Sequence, residues 1–119
     1  NEDITNELLL GANKLLEKND IKNVVTINVP GAFEIPVVIS KNIKKYDAFI
    51  AIGCIIKGET SNFDLISNAI TNGIMQISIT HKKPIGNAII TCFNKDQALN
   101  RLDKGKEAAT AILEVLRLK

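Results

Sequence analysis

The sequence has little of what nucleic-acid and membrane binding require. Aromatic residues make up 4% of its 119 residues, tryptophan is absent, and the formal net charge is only +2. Proteins that bind nucleic acids usually concentrate basic charge on one face and stack bases on aromatic rings, so we expect no nucleic-acid partner. Glycine, asparagine, lysine or serine interrupts every long apolar run, and no signal peptide is recognisable. We therefore expect a soluble, cytoplasmic protein with no membrane partner.

Cysteine and histidine are scarce as well. The two cysteines, Cys54 and Cys92, each end a strand-like apolar run, without the spacing of a metal site or the adjacent histidine of a nucleophile. We expect both to be reduced, mostly buried thiols. The only histidine, His81, lies in a polar stretch that is typical of a surface loop. These residues therefore indicate neither a disulfide nor a metal centre.

The hydrophobic pattern predicts one compact α/β domain. Hydrophobic residues make up 45% of the sequence, which suits a single core. β-branched or continuously apolar runs predict strands at residues 24–29, 48–54 and 88–91. These strands are apolar on both faces and alternate with helices, which indicates a parallel sheet covered by helices on each side.

Helical spacing of apolar residues predicts the helices between these strands. The first helix ends near Asn19 and Asp20, and further helices are predicted at residues 36–43, 62–79, 97–102 and 105–118. The longest of them has one continuous apolar face, which consists of Phe63, Ile66, Ile70, Ile74 and Ile77.

Two turns that join a predicted strand to a predicted helix are the main functional signal. The segment 53–64 leads from an apolar strand through a glycine turn into the longest helix, where exposed backbone N–H groups and the helix dipole favour a phosphate. Thr60 and Ser61 add hydroxyl donors there. The segment 29–36 is built in the same way. Because ligands bind at the carboxyl ends of parallel strands, we expect both turns and the region after Thr91 to form one active edge.

Six short motifs are distributed along the chain. They are VPGAFEIP (29–36), YDA (46–48), GCIIKGET (53–60), FD (63–64), DQA (96–98) and KG (104–105). Together they resemble the 6,7-dimethyl-8-ribityllumazine synthases of riboflavin biosynthesis, in register from about residue 1 to residue 118. The resemblance implies a three-layer αβα sandwich with a parallel, flavodoxin-like sheet, in a single domain over residues 1–119.

The resemblance also implies an activity and an assembly. The family condenses 5-amino-6-(D-ribitylamino)uracil with 3,4-dihydroxy-2-butanone 4-phosphate to 6,7-dimethyl-8-ribityllumazine, the penultimate step of riboflavin biosynthesis. The reaction releases phosphate and water and uses no metal or organic cofactor. We accordingly expect these two small molecules as partners, together with self-association into pentamers or larger shells.

The same resemblance assigns the site residues. Arg101 takes the position of an arginine that binds the phosphate from an adjacent subunit, and Lys104 that of the lysine just before the glycine of the last helix. The residues alone would indicate only a solvated helix end at both positions. The ribitylaminouracil would lie along two backbone segments, and the phosphate would bind at Glu59 and Thr60. The implied substrate-binding positions are Ala32, Phe33, Glu34, Cys54, Ile55, Ile56, Glu59, Thr60 and Asn87.

The chain departs from the family pattern at Asn62. This asparagine stands where the family has its proton-transfer histidine, directly before Phe63 and Asp64. An asparagine forms hydrogen bonds but cannot exchange a proton at neutral pH. An alternative interpretation is that Asn62 simply caps the helix that follows.

Two further departures concern segments of the chain. The family has a central strand before its first helix, and the sequence begins after it, so we expect an N-terminally incomplete domain. The linker between Arg101 and Lys104 is also shorter than in the family.

Two hypotheses of different class follow. In the first, the protein is the synthase, slowed by the loss of its proton-transfer group. In the second, it is a catalytically silent relative that keeps the pocket as a flavin-binding, lumazine-binding or structural module. The intact substrate-contacting turns favour the first hypothesis.

Overall fold

The computed structural model describes residues 2–59 and 62–118, which alternate between helices and strands. The helices are α1 (Glu2–Lys18), α2 (Ile35–Lys41), α3 (Phe63–His81), α4 (Lys95–Leu99) and α5 (Lys104–Arg117). The strands are β1 (Phe49–Ile56) and β2 (Ile85–Cys92), and short 3-10 turns occupy Ala32–Glu34 and Lys57–Glu59. Among the described helices, none combines the length and the apolar character that a bilayer crossing would need.

The two strands form a parallel sheet whose faces are covered by different helices. The pairing runs in register from Phe49 opposite Ile85 to Ile56 opposite Cys92. Successive side chains of a strand point to opposite faces. On one face Ala51 and Ile55 join a core cluster with residues of α2 and α3. On the other, Ile56 and β2 residues pack against α1 and α4, and α1 also packs against α5. The prediction of a parallel α/β sheet between two helical layers is confirmed.

The apolar faces that spacing predicts are the buried ones. In α3, Ile70 and Ile74 are buried, and Phe63, Ile66 and Ile77 pack at the margin of the same cluster. In α1 the buried residues recur every four positions, which places one stripe of the helix against the core. They are Ile4, Leu8, Ala12 and Leu16.

Helices α1 and α5 approach so closely that a glycine is needed at their contact. A Cβ added at Gly105 would overlap the carbonyl group of Leu8. Helix α5 also packs closely against β2 at a glycine, because a Cβ added at Gly86 would lie 2.6 Å from the carbonyl oxygen of Ala108. These close approaches fix the layer that lies opposite α2 and α3.

The predicted strand at residues 24–29 is wrong, because residues 21–29 belong to no helix or strand. Val24, Val25 and Ile27 are exposed, whereas Val29 packs at the margin of the cluster around α2 and α3. β-branched residues favour an extended backbone, but a strand also needs a hydrogen-bonded neighbour. In the described ranges the sheet consists of β1 and β2 alone.

The ends of the helices and strands differ by a few residues from the predicted ones, and His81 lies in a different type of structure from the one predicted. It was predicted in a loop, yet it is the exposed last residue of α3. Lys82 ends the helix in the left-handed conformation with φ of 54°, and its N–H donates to the Ser78 carbonyl. Both strands extend beyond the predicted runs.

Candidate functional site

The carboxyl ends of β1 and β2 lie side by side. Because Ile56 is paired with Cys92, the Lys57–Glu59 turn and Phe93 leave the sheet at the same edge. The Ala32–Glu34 turn lies over β1 near that edge, since a Cβ added at Gly53 would stand 3.5 Å from the Ala32 Cβ. The three regions that the sequence predicts at one active edge are thus close together.

The Ala32–Glu34 turn is held by local interactions. The Glu34 N–H donates to the Gly31 carbonyl at 3.1 Å, and the proline of α2 lies in the first turn of that helix. Ile35 is buried against Gly53, which anchors the turn from its C-terminal side. Phe33 is exposed, so its ring stands at the surface of the edge.

The end of β1 offers backbone rather than side chains to a ligand. Ile55 is buried in the cluster with α2 and α3, and Ile56 is buried on the opposite face with α1 and α4. Cys54 is half-buried and Cys92 is buried, and neither forms a disulfide within the described residues. The expected burial is confirmed for Cys92 and in part for Cys54.

Asn62 stands at the start of α3. It occupies the N-cap position, and its carbonyl accepts the Ile66 N–H at 2.9 Å. Within the described part of the chain its side chain makes no capping hydrogen bond, so the capping interpretation is supported by position alone. The backbone of Glu59 ends the turn after β1. Thr60, the other predicted phosphate residue, lies outside the described residues.

A contact that the sequence did not predict links three elements at this edge. The Phe63 and Phe93 rings stack with centroids 6.5 Å apart and an interplanar angle of 24°. The Lys57 Nζ lies 5.2 Å from the centroid of the Phe93 ring. A signal was present in the sequence, because Phe93 lies two residues after the predicted strand at residues 88–91, but only the register of the sheet brings it close to Lys57.

Arg101 lies against the end of its own strand β2. Its Nη1 donates to the Thr91 carbonyl at 2.7 Å, and the side chain is exposed. Lys104 is the exposed first residue of α5, and its N–H donates to the Arg101 carbonyl at 3.1 Å. The short linker therefore joins the two predicted cationic residues through one backbone turn.

Asn87 lies away from the carboxyl ends of the strands. It is exposed near the start of β2, opposite Ala51, and its Oδ1 accepts the Ile89 N–H at 3.0 Å. Of the predicted site residues with a described side chain, Asn87 is the one farthest along the strand from the carboxyl edge. Across residues 2–59 and 62–118, no group of three or more His, Cys, Asp and Glu residues is placed to hold a metal ion.

Comparisons with known proteins all point to one family. The family model for 6,7-dimethyl-8-ribityllumazine synthase matches residues 1–119. A protein of that name from Desulfovibrio desulfuricans is 39% identical over 99% of this chain and 81% of its own length. A protein of the same name from Kosmotoga olearia is 43% identical over 100% of this chain and 82% of its own length. One from Methylibium petroleiphilum is 44% identical over 82% of this chain and 62% of its own length.

Proposed function

The chain belongs to the 6,7-dimethyl-8-ribityllumazine synthase family and is therefore a transferase. We propose that it catalyses the complete condensation reaction of that family. Its substrates are 5-amino-6-(D-ribitylamino)uracil and 3,4-dihydroxy-2-butanone 4-phosphate, and its product is 6,7-dimethyl-8-ribityllumazine. One observation carries the proposal: the Ala32–Glu34 turn and the turn after β1 lie together at the carboxyl edge of the sheet. That edge is where ligands of parallel α/β sheets bind.

The pyrimidine substrate is proposed to bind along backbone rather than side chains. Ile55 and Ile56 bury their side chains in the two cores, so only their main-chain groups are available to a ligand. Ala32, Phe33 and Glu34 lie beside them on the adjoining turn. Main-chain N–H and C=O groups can form hydrogen bonds with both the pyrimidine ring and the ribityl hydroxyls.

The phosphate is proposed to bind at the start of α3. The helix has 19 residues, and a helix N-terminus combines N–H groups that lack intrahelical partners with the positive end of the helix dipole. Glu59 and Thr60 precede it and are the proposed backbone donors. Arg101 of a neighbouring subunit would add charge-assisted, bidentate hydrogen bonds, and Lys104 a further cation. The exposure of both side chains supports a role toward a partner or ligand.

Asn62 is proposed to reduce the rate without abolishing it. General acid–base catalysis contributes about 10²- to 10⁴-fold, whereas orienting two reactants can contribute an effective concentration of about 10⁵–10⁸ M. Both substrates are intrinsically reactive, so positioning them together is the larger effect. An asparagine amide at this position could still donate and accept hydrogen bonds to the reacting groups.

The second candidate function is a catalytically silent module that binds lumazine or flavin, and Asn62 is the residue that favours it. The two candidates differ in a single assay of lumazine formation from purified substrates. A measurable turnover supports the synthase. Tight binding of lumazine without any turnover would contradict it and support the silent relative.

Self-association is proposed from the outer face of α3. Leu65, Met75 and Ile79 are 74%, 57% and 63% exposed, and no acidic or basic residue occurs between Asp64 and His81. A long helix that presents an uncharged surface with several large exposed apolar side chains is typical of an interface. We propose that the chain assembles into pentamers or larger shells. We also propose that it is located in the cytoplasm.

A further inference from the structure

Three residues that the proposed function does not use meet at the carboxyl edge. Phe93 follows β2, Phe63 begins α3, and Lys57 follows β1. The two rings stack at 6.5 Å, and the Lys57 Nζ lies 5.2 Å from the Phe93 centroid. Phe93 therefore contacts the first residue of α3 and the first residue of the turn after β1.

The core does not hold the Phe93 ring in place. The residue is 62% exposed and belongs to none of the core clusters found among the described residues. Aromatic pairs and cation–π contacts are favourable beyond the area they bury. The stack and the lysine contact thus hold this ring outside the core clusters.

The backbone beneath the ring is fixed. The Phe93 N–H donates to the Gln97 Oε1 at 2.7 Å, and the Gln97 N–H donates to the Asn94 Oδ1 at 2.9 Å. The second bond caps α4 at its N-cap residue Asn94, and the first ties the Gln97 side chain back to the residue before the cap. Phe93 is therefore a ring on an ordered turn, in contact with two segments that flank the proposed phosphate-binding turn.

We propose that Phe93 is a positioning residue for phosphate binding. It acts through Phe63 on the start of α3, and through Lys57 on the turn after β1. The inference rests on the proposed function, because it concerns the phosphate group of the four-carbon substrate. Without the ring, the N–H groups at the start of α3 and the Lys57 ammonium would be less well ordered for that anion.

The test compares Phe93→Ala, Phe93→Tyr and the matched control Leu99→Ala in the full-length protein. Leu99 is also exposed and lies on α4, so its truncation removes apolar surface without touching the stack. We expect Phe93→Ala to weaken the binding of inorganic phosphate by about two- to tenfold, the range of an aromatic pair. The KM for the four-carbon substrate should rise by the same factor, with little change in kcat or in ribitylaminouracil binding. Phe93→Tyr should restore both values.

Amide hydrogen exchange supplies a readout that does not depend on phosphate. Exchange of residues 62–66 should become faster in Phe93→Ala and stay unchanged in Leu99→Ala. If exchange there is unchanged, or if the wild type binds phosphate and Phe93→Ala binds it equally well, the inference is overturned while the proposed function stands. If the wild type neither binds phosphate nor forms lumazine, the proposed function fails as well.

Discussion

The Arg101 Nη1 donates a hydrogen bond of 2.7 Å to the main-chain carbonyl oxygen of Thr91, one residue before the end of β2. The bond holds the guanidinium at the carboxyl edge of its own subunit's sheet, whereas the phosphate that it is proposed to bind is that of a neighbouring subunit. A guanidinium has five N–H donors, so one bond to a carbonyl uses only part of its capacity. The remaining donors suit a bidentate interaction with a phosphate.

Arg101→Ala should weaken phosphate binding much more than ribitylaminouracil binding. The guanidinium is proposed to contact the anion, whereas the pyrimidine is proposed to bind along backbone groups. Calorimetry with each ligand measures the two effects separately. The matched control is Arg117→Ala, which removes another exposed arginine, hydrogen-bonded to the Asn19 Oδ1 at 3.1 Å and remote in sequence from the turns. Equal losses for both ligands in Arg101→Ala would place Arg101 outside the phosphate site.

Met75→Glu should shift the protein toward smaller species. A carboxylate at this exposed position of α3 would be buried without a partner if the helix face lies in a subunit interface, and burying an unpaired charge is costly. Sedimentation velocity at micromolar concentration measures the change. Val115→Glu is the control, because Val115 is also exposed but lies on α5. A wild type that sediments only as a monomer would refute the proposed assembly.

Gly105→Ala should lower the free energy of unfolding by about 1–3 kcal/mol or more, the usual cost of overpacking. The added methyl would overlap the Leu8 carbonyl group, so α1 and α5 would have to separate. Gly11→Ala is the control at the same contact, where the nearest atom, the Lys106 N, is 3.7 Å from the added Cβ. Alanine is the better helix former by about 1 kcal/mol, so Gly11→Ala should be neutral or stabilising.

Urea denaturation of both glycine variants at one protein concentration makes this comparison, since oligomerisation also contributes to stability. If both variants lose the same stability, the contact between α1 and α5 is looser than the geometry indicates.

The sequence predicts the parts of the fold that depend on which side of an element is buried. The apolar face of α3 was identified in full, because residues such as Ile70 and Ile74 recur at helical spacing. The predicted strand at residues 24–29 was wrong, because strand formation depends on more than which side chains are buried. Val24 and Val25 favour an extended backbone, but a strand depends on a neighbour that no local pattern specifies.

The candidate site was predictable where it consists of turns and not where it depends on register. Glycine-containing turns after apolar runs led to the Ala32–Glu34 segment and to the turn after β1. The stack of Phe63 on Phe93 joins residues 30 positions apart. Only the parallel pairing of Ile56 with Cys92 brings their elements together, and that pairing is a property of the folded sheet.

Asn62→His should increase turnover and introduce a pH dependence. If Asn62 occupies the proton-transfer position, an imidazole there can act as general acid and base, which Asn62 cannot. We expect kcat to rise by about ten- to ten-thousand-fold, with the lower end where orientation already dominates. KM should change little, because the new group would act on the reacting carbonyl and amine rather than on the ribityl chain or the phosphate.

The pH profile provides the sharper test of this substitution. An unperturbed histidine has a pKa of about 6.5, so the histidine variant should acquire an inflection of kcat near neutral pH that the wild type lacks. Steady-state kinetics of both proteins from pH 5 to 9 measure this inflection, and Asn62→Asp shows the effect of a negative charge in a side chain of the same size. The aspartate control is expected to bind phosphate less well, because it brings a negative charge to the anion site at the start of α3. If the histidine variant has an unchanged rate and a flat profile, Asn62 does not stand at the proton-transfer position, or the site is silent for another reason, and the second candidate function becomes the better one.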